Sequence, residues 1–173
     1  MPPMTLTESL RHEFEHEAQT TRRLLERLPD DKLDWQPHEK SFSARGLSSH
    51  IVECVGMTDP IFTQDELNFE PATYRPYEAA SVDDLLKTFD DKVEAGQRAL
   101  ASVTDEDMTR PWQFKIMGKV RLEKSKVDVF RDFTLSHLIH HRGQLSVYLR
   151  LLDIPVPGCY GPTADEMQAM RSA

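Results

Sequence analysis

Apolar residues recur along this chain at three- and four-residue spacing over four stretches, as they do in helices that bury one face. In residues 5–28 the stripe is Leu10, Phe14, Ala18, Thr21, Leu25 and Leu28, and it stops at Pro29-Asp30-Asp31. A short connection holding Leu33, Trp35 and Pro37 follows, and Ser41 or Ser43 is suited to cap a second helix by accepting from a free backbone N–H. That helix is expected over residues 45–58, with Pro60 either ending it or kinking its continuation, and Leu47, His50, Cys54, Met57 and Ile61 fall within one quadrant of it. Residues 69–80, with Pro71, Pro76 and two tyrosines, lack helical period and read as a long loop over one end of the bundle. Ser81 and Asp84 approximate a capping box ahead of a third stripe, Val82, Leu85, Leu86, Phe89, Val93 and Leu100. Residues 104–117 bring Pro111, Trp112 and Phe114 and read as another loop or a short strand-like excursion. A fourth helix is expected over residues 123–152, closed by Asp153-Ile154-Pro155-Val156-Pro157-Gly158, where the prolines forbid continuation. The pattern predicts an all-α fold, an antiparallel four-helix bundle with a long loop between helices two and three, occupying residues 1–173 as one domain.

Composition narrows the partners. A formal net charge of −8 with no basic run gives nucleic acid no counterions to release on binding, so none is expected as a partner. No apolar stretch approaches the ~20 residues that span a bilayer. Residues Met1 to Glu8 carry neither a basic leader nor an apolar signal region and read as a mature terminus. Cys54 and Cys159 form no CxxC pattern and read as free thiols, which together with the rest places the protein in the cytoplasm.

The histidines carry the candidate chemistry. On a wheel centred on His141, the residues Phe130, Thr134, His137, Leu138, Leu145, Tyr148 and Leu152 lie within about 60°, and Asp132, Gly143 and Arg150 lie opposite. His137 and His141 therefore project into the bundle one turn apart, with His140 near the edge of that face. Two histidines at i and i+4 can hold one ion, but Leu138-Ile139-His140 between them supplies no glutamate base, and the pair alone is a weak signal. His50, on the apolar face of helix two, adds a third inward imidazole. Pattern alone leaves two readings open: a shared metal, or three core histidines each with its own hydrogen-bond partners.

Three protein nitrogens would leave a position for water or substrate, as catalytic metal sites do. Histidine ligation suits zinc, nickel, cobalt or ferrous iron, with manganese a further candidate for the single divalent ion. Glu53, one turn beyond His50, is the candidate catalytic residue, as proton shuttle or as acceptor for an imidazole N–H; the bland alternative is a solvated flank carboxylate. Cys54 reads as a small core residue in preference to a ligand or reactive thiol. The Tyr148 hydroxyl is a candidate for the cavity, and Trp35 and Trp112 read as packing anchors.

At this point a resemblance appears. His137-Leu138-Ile139-His140-His141-Arg142-Gly143-Gln144, followed by Leu149-Arg150-Leu151-Leu152-Asp153-Ile154-Pro155-Val156-Pro157, resembles the C-terminal signature of the DinB/YfiT-like superfamily. Leu24-Leu25-Glu26-Arg27-Leu28-Pro29, then Trp35-Gln36-Pro37, Leu47 and His50, is similar to its N-terminal half. The resemblance implies a four-helix bundle, often homodimeric, in which His50, His137 and His141 bind a divalent metal; Arg142, Gly143 and Gln144 match the motif without a firm role. The chain departs from the pattern at Asp153, where a glycine often ends the helix. Members with known activity include S-transferases and isomerases that use bacillithiol or mycothiol, and the family name, which refers to damage inducibility, implies no polymerase. The resemblance thus implies a metal-dependent thiol S-transferase acting on small electrophiles, with a low-molecular-weight thiol as cosubstrate. The alternatives are a metal-dependent hydrolase with Glu53 as base, or a non-enzymatic metal-binding stress-response protein.

Overall fold

Thr5 and Glu8 exchange capping bonds at the start of α1 (Leu6–Leu25), which buries Leu10, Phe14, Ala18, Leu24 and Leu25 as its stripe requires. This computed structural model describes residues 3–172, so Met1, and with it the start of the proposed mature terminus, lies outside the described residues. Ser43 accepts from the Gly46 N–H and opens α2 (Ala44–Gly56). Pro60 does not kink that helix; it sits near the start of a separate short helix, α3 (Thr58–Thr63), where its missing N–H would have no intrahelical partner. Ser81 caps α4 (Val82–Ala101), and a Thr104–Asp107 capping box opens α5 (Asp105–Thr109).

The chain is mostly helical but not all-α, which corrects the sequence expectation: β1 (Glu66–Phe69), β2 (Pro111–Ile116) and β3 (Lys119–Ser125) form a small sheet in that order, β1 parallel to β2 and β2 antiparallel to β3. The hairpin turns on Met117 and Gly118, with φ of 51° and 73°, the positive values that a tight two-residue turn demands. Strand β3 alternates only briefly, with Val120 and Leu122 set between Lys119, Arg121 and Glu123, and it is largely exposed, a weak signal beside the helical stripe that follows. Residues 123–125, expected in the fourth helix, belong to β3.

The fourth helical run starts only at α6 (Lys126–Phe130), where Ser125 caps the Asp128 N–H, and passes through a π-helical segment (Arg131–Ser136) into α7 (His137–Leu151). Its end is the expected one. Asp153 takes the left-handed conformation (φ 57°) that glycine often fills, and Ile154 N–H and Asp153 N–H donate to the carbonyls of Leu149 and Arg150, closing the helix with two returning bonds. A short helix, α8 (Ala164–Ser172), follows; it buries no residue and so offered no stripe to read.

Helix α1 packs on α4 and α7, and α2 packs on the same two, so the four long elements close a ring around one apolar core. Gly96 lets α4 approach closely: a Cβ there would lie 2.9 Å from Thr58 Cβ and 3.0 Å from the Phe14 ring. Opposite α2, the ring is fastened by a buried ion pair. Arg142 on α7 (1% exposed) donates to the Glu17 carboxylate on α1 (5% exposed) and to the Glu17 carbonyl. It also donates to the hydroxyl of Tyr160, which in turn donates to Glu17 at 2.9 Å.

Removing one member strands a buried charge. Arg142→Ala is expected to cost about 3–5 kcal/mol in urea unfolding, whereas the paired change Glu17→Leu with Arg142→Met should fall within about 1 kcal/mol of wild type or exceed it. Equal losses in both would show that the pair acts through shape rather than charge.

Candidate metal centre

Two crossing helices each present donors one turn apart. On α2 these are His50 and Cys54, and on α7 they are His137 and His141. The four residues bring one donor atom each to within 4.8 Å of one another, a cluster that can hold a metal ion. His50 Nε2 stands 3.3 Å from His137 Nε2. Two nitrogens held ~2.0–2.1 Å from a tetrahedral ion lie about 3.3–3.4 Å apart, so this pair fits the group without rearrangement. The imidazole of His141 completes a triangle, with ring centroids 4.7 Å from both His50 and His137.

Each outer nitrogen has a reason to point where it does. His50 Nδ1 faces Glu53 Oε2 at 3.1 Å; a carboxylate only accepts, so the proton sits on Nδ1 and the Nε2 lone pair is left toward the cluster. Glu53 is itself pinned, its other oxygen accepting from the Tyr74 hydroxyl and from the Tyr77 N–H at 3.1 Å. Those tyrosines belong to the loop at residues 70–81, which is tied to α2 where Ser49 Oγ accepts from Ala79 N–H at 3.0 Å. On α7, the Gln144 amide oxygen lies 2.8 Å from His141 Nδ1 and fixes that ring in the same sense, while its amide nitrogen donates to His140 Nε2.

Burial, reinforced by neighbouring imidazoles, holds the pKa of His137 and of His141 below the ordinary histidine value; the Gln144 bond opposes this at His141 and a Phe133 backbone bond does so at His137. Neutral imidazoles are the form a cation needs. Burial, then the charge of Glu53, pushes the Cys54 thiol up to about 12. Beside His50 and His137 opens a cavity of about 300 Å3, walled by Met57, Leu67, Phe69, Tyr74, Phe114 and Phe133.

The structure brings together His50, His137, His141 and Glu53 as the spacing predicts, and it leaves His140 exposed at the edge. Cys54 is buried, as a core residue would be, but it also belongs to the cluster; the signal was its i+4 spacing from His50, which mirrors that of His137 and His141. Tyr148 does not line the cavity: its hydroxyl donates to the Phe42 carbonyl at 3.0 Å and its ring meets Trp35 edge-on. Trp112 is fully buried and donates to the Pro60 carbonyl, the packing role expected of it.

Comparison with known proteins matches residues 1–172 to the model of the DinB family. The chain is 27% identical over 154 residues to the uncharacterized protein YrdA of Bacillus subtilis strain 168, covering 88% of this chain and 87% of that one. It is also 27% identical over 137 residues to the uncharacterized protein YjoA of the same strain, covering 75% and 80% respectively. Among solved structures, a DinB-like protein from Bacillus cereus ATCC 10987 shares the fold with a TM-score of 0.70 at 23% identity, over 91% of this chain and 99% of that one. The B. subtilis YjoA structure gives 0.67 at 21%, over 91% and 98%.

Depressed imidazole pKa values tie stability to pH in a defined direction. Above about 6.5 these histidines are neutral in both folded and unfolded chains; below it the unfolded chain takes up protons that folded His137 and His141 resist. Stability of the metal-free protein should therefore fall as pH drops from 7.5 to 5.5. In thermal unfolding, His137→Gln and His141→Gln should each flatten that dependence; an unchanged slope would disprove the assignment.

Proposed function

This chain belongs to the DinB family, and from that premise we propose that it is a metal-dependent enzyme that transfers a small thiol to an electrophile, with His50, His137 and His141 holding one divalent ion. The carrying observation is the 3.3 Å separation of His50 and His137 Nε2 beside a third imidazole whose outer nitrogen is fixed by Gln144. Ligation by imidazoles alone favours zinc, nickel or ferrous iron over manganese. Such an ion supplies Lewis acidity, lowering the pKa of a thiol or water so that it attacks at neutral pH. His50 and His137 line the cavity, so a small molecule entering it would reach two of the imidazoles that would hold the ion.

Glu53 acts in this reading as a positioning residue. Its two oxygens are engaged by His50, Tyr74 and Tyr77, which suits holding an imidazole better than accepting a proton from water. That observation favours thiol transfer, where the cosubstrate brings its own nucleophile, over hydrolysis with Glu53 as base. The open cavity likewise favours an enzyme over a non-catalytic metal-binding protein.

Elemental analysis should find about one ion per chain in wild type, lost in His137→Ala and retained in Cys54→Ser. Cobalt-loaded protein should lack an intense near-ultraviolet sulfur-to-metal band; such a band, abolished by Cys54→Ser, would instead make the thiolate a fourth ligand and the site closed. Metal-loaded protein should then consume low-molecular-weight thiols with small electrophiles, and activity without thiol would favour the hydrolase.

A homodimer is proposed on a separate observation. Val147 (55% exposed) and Leu151 (58%) follow Gly143 at four-residue steps on the outer face of α7, and nothing lies within 4 Å of where a Gly143 Cβ would be. Light scattering should show a dimer that Val147→Glu converts to monomer; a monomeric wild type would refute it.

A further inference from the structure

The cavity beside the histidines differs in kind from the cluster it adjoins. Its walls come from five parts of the chain: Met57 beyond α2, Leu67 and Phe69 on β1, Tyr74 in the following loop, Phe114 on β2 and Phe133 in the π-helical segment. The aromatic members form a corner. Phe114 meets Phe133 edge-on with centroids 5.8 Å apart, Phe69 lies 6.4 Å from Phe114, and Phe69 and Tyr74 are 4.8 Å apart. The polar groups that reach this space are few. Glu53 has both oxygens taken, and the Tyr74 hydroxyl is spent on Glu53. What remains is the pair of imidazoles, His50 and His137, with the weakly polar Cys54 thiol.

We infer that this cavity selects a compact aromatic molecule, one ring system in size, that carries a single donor group at the end facing His50 and His137. The inference rests on the metal reading for the role of that donor group, and on the cavity alone for the aromatic part. At about 300 Å3 the space is at the small end of ligand pockets, and it has room for a ring system. Its walls reward apolar and aromatic surface through burial and through offset or edge contacts. They offer a sugar or other polyhydroxylated group almost no hydrogen-bond partners, and burying hydroxyls there would be unfavourable. The polar part of any thiol cosubstrate therefore stays outside, and the walled space belongs to the apolar body of the electrophile. The small sheet has a purpose in this account, because β1 and β2 supply three of the six walls.

Two chelators separate the contributions. Acetohydroxamate and benzhydroxamate share one metal-binding head and differ mainly in the ring. Calorimetry on the zinc-loaded protein should show benzhydroxamate binding about tenfold or more tighter, the gain expected for burying one ring. In Leu67→Gln that preference should shrink severalfold while acetohydroxamate affinity is unchanged. Equal affinities in wild type would overturn the inference. Indole titrated into the metal-free protein gives a readout that needs no ion: amide NMR shifts should concentrate at residues 66–69 and 114 and weaken in Leu67→Gln. Indole shifts without hydroxamate binding would mean that the metal reading fails and the cavity stands. An absence of indole shifts at those residues would overturn the cavity inference whatever the metal does.

Discussion

Three imidazoles facing one another in a half-buried space constrain everything around them. Lone pairs at close range repel, and a half-desolvated ring cannot relieve this by taking a proton as readily as one in water. The arrangement is stable when a cation or a shared proton sits between the nitrogens, and the surrounding structure keeps the rings aimed at that point. Glu53 and Gln144 fix the outer nitrogens of His50 and His141, and the loop over residues 70–81 fixes Glu53 in turn. On the far side of α7, the Arg142–Glu17 pair anchors the same helix to α1. The helix that carries two of the donors is thus held from both flanks, one polar contact toward the cluster and one away from it.

That organisation divides structural from chemical tasks. Helix α2 and α7 meet across the cluster, and the rest of the bundle supplies apolar bulk. The sheet and the loop before α4 contribute no donor atom to the cluster, but they build the space next to it. A bundle with the same four helices and a different excursion between them would keep the donor cluster and change what reaches it. This is the general relation between scaffold and site in folds that host many activities.

The bundle and its donors were legible because both rest on helical period. His50, His137 and His141 sat on apolar faces, and the faces turned inward as such faces do. Strand β2 falls within the strand-like excursion read at residues 104–117, but the rest of the sheet was not legible, because β3 is a charged, exposed strand and β1 is four residues long, too short for alternation to register. Nor was α8, which buries nothing. The contacts of Tyr74 and Tyr77 with Glu53 depend on where a proline-bearing loop comes to rest, and no local pattern encodes that. Asp153 shows the reverse case: the departure from glycine was visible, and the helix still ends where expected because a short acidic side chain tolerates the left-handed backbone.

The π-helical turn from Arg131 to Ser136 sits immediately ahead of His137 and works as a phase setter for the chain beyond it. Each residue of a helix advances the face by about 100°, so losing one residue there would swing His137 and His141 together away from His50, with every bond inside α7 intact. Over evolutionary time, insertions and deletions should accumulate at the hairpin tip or between α7 and α8, where length has no angular meaning. Along this one turn, the number of residues should hold even where their identities drift.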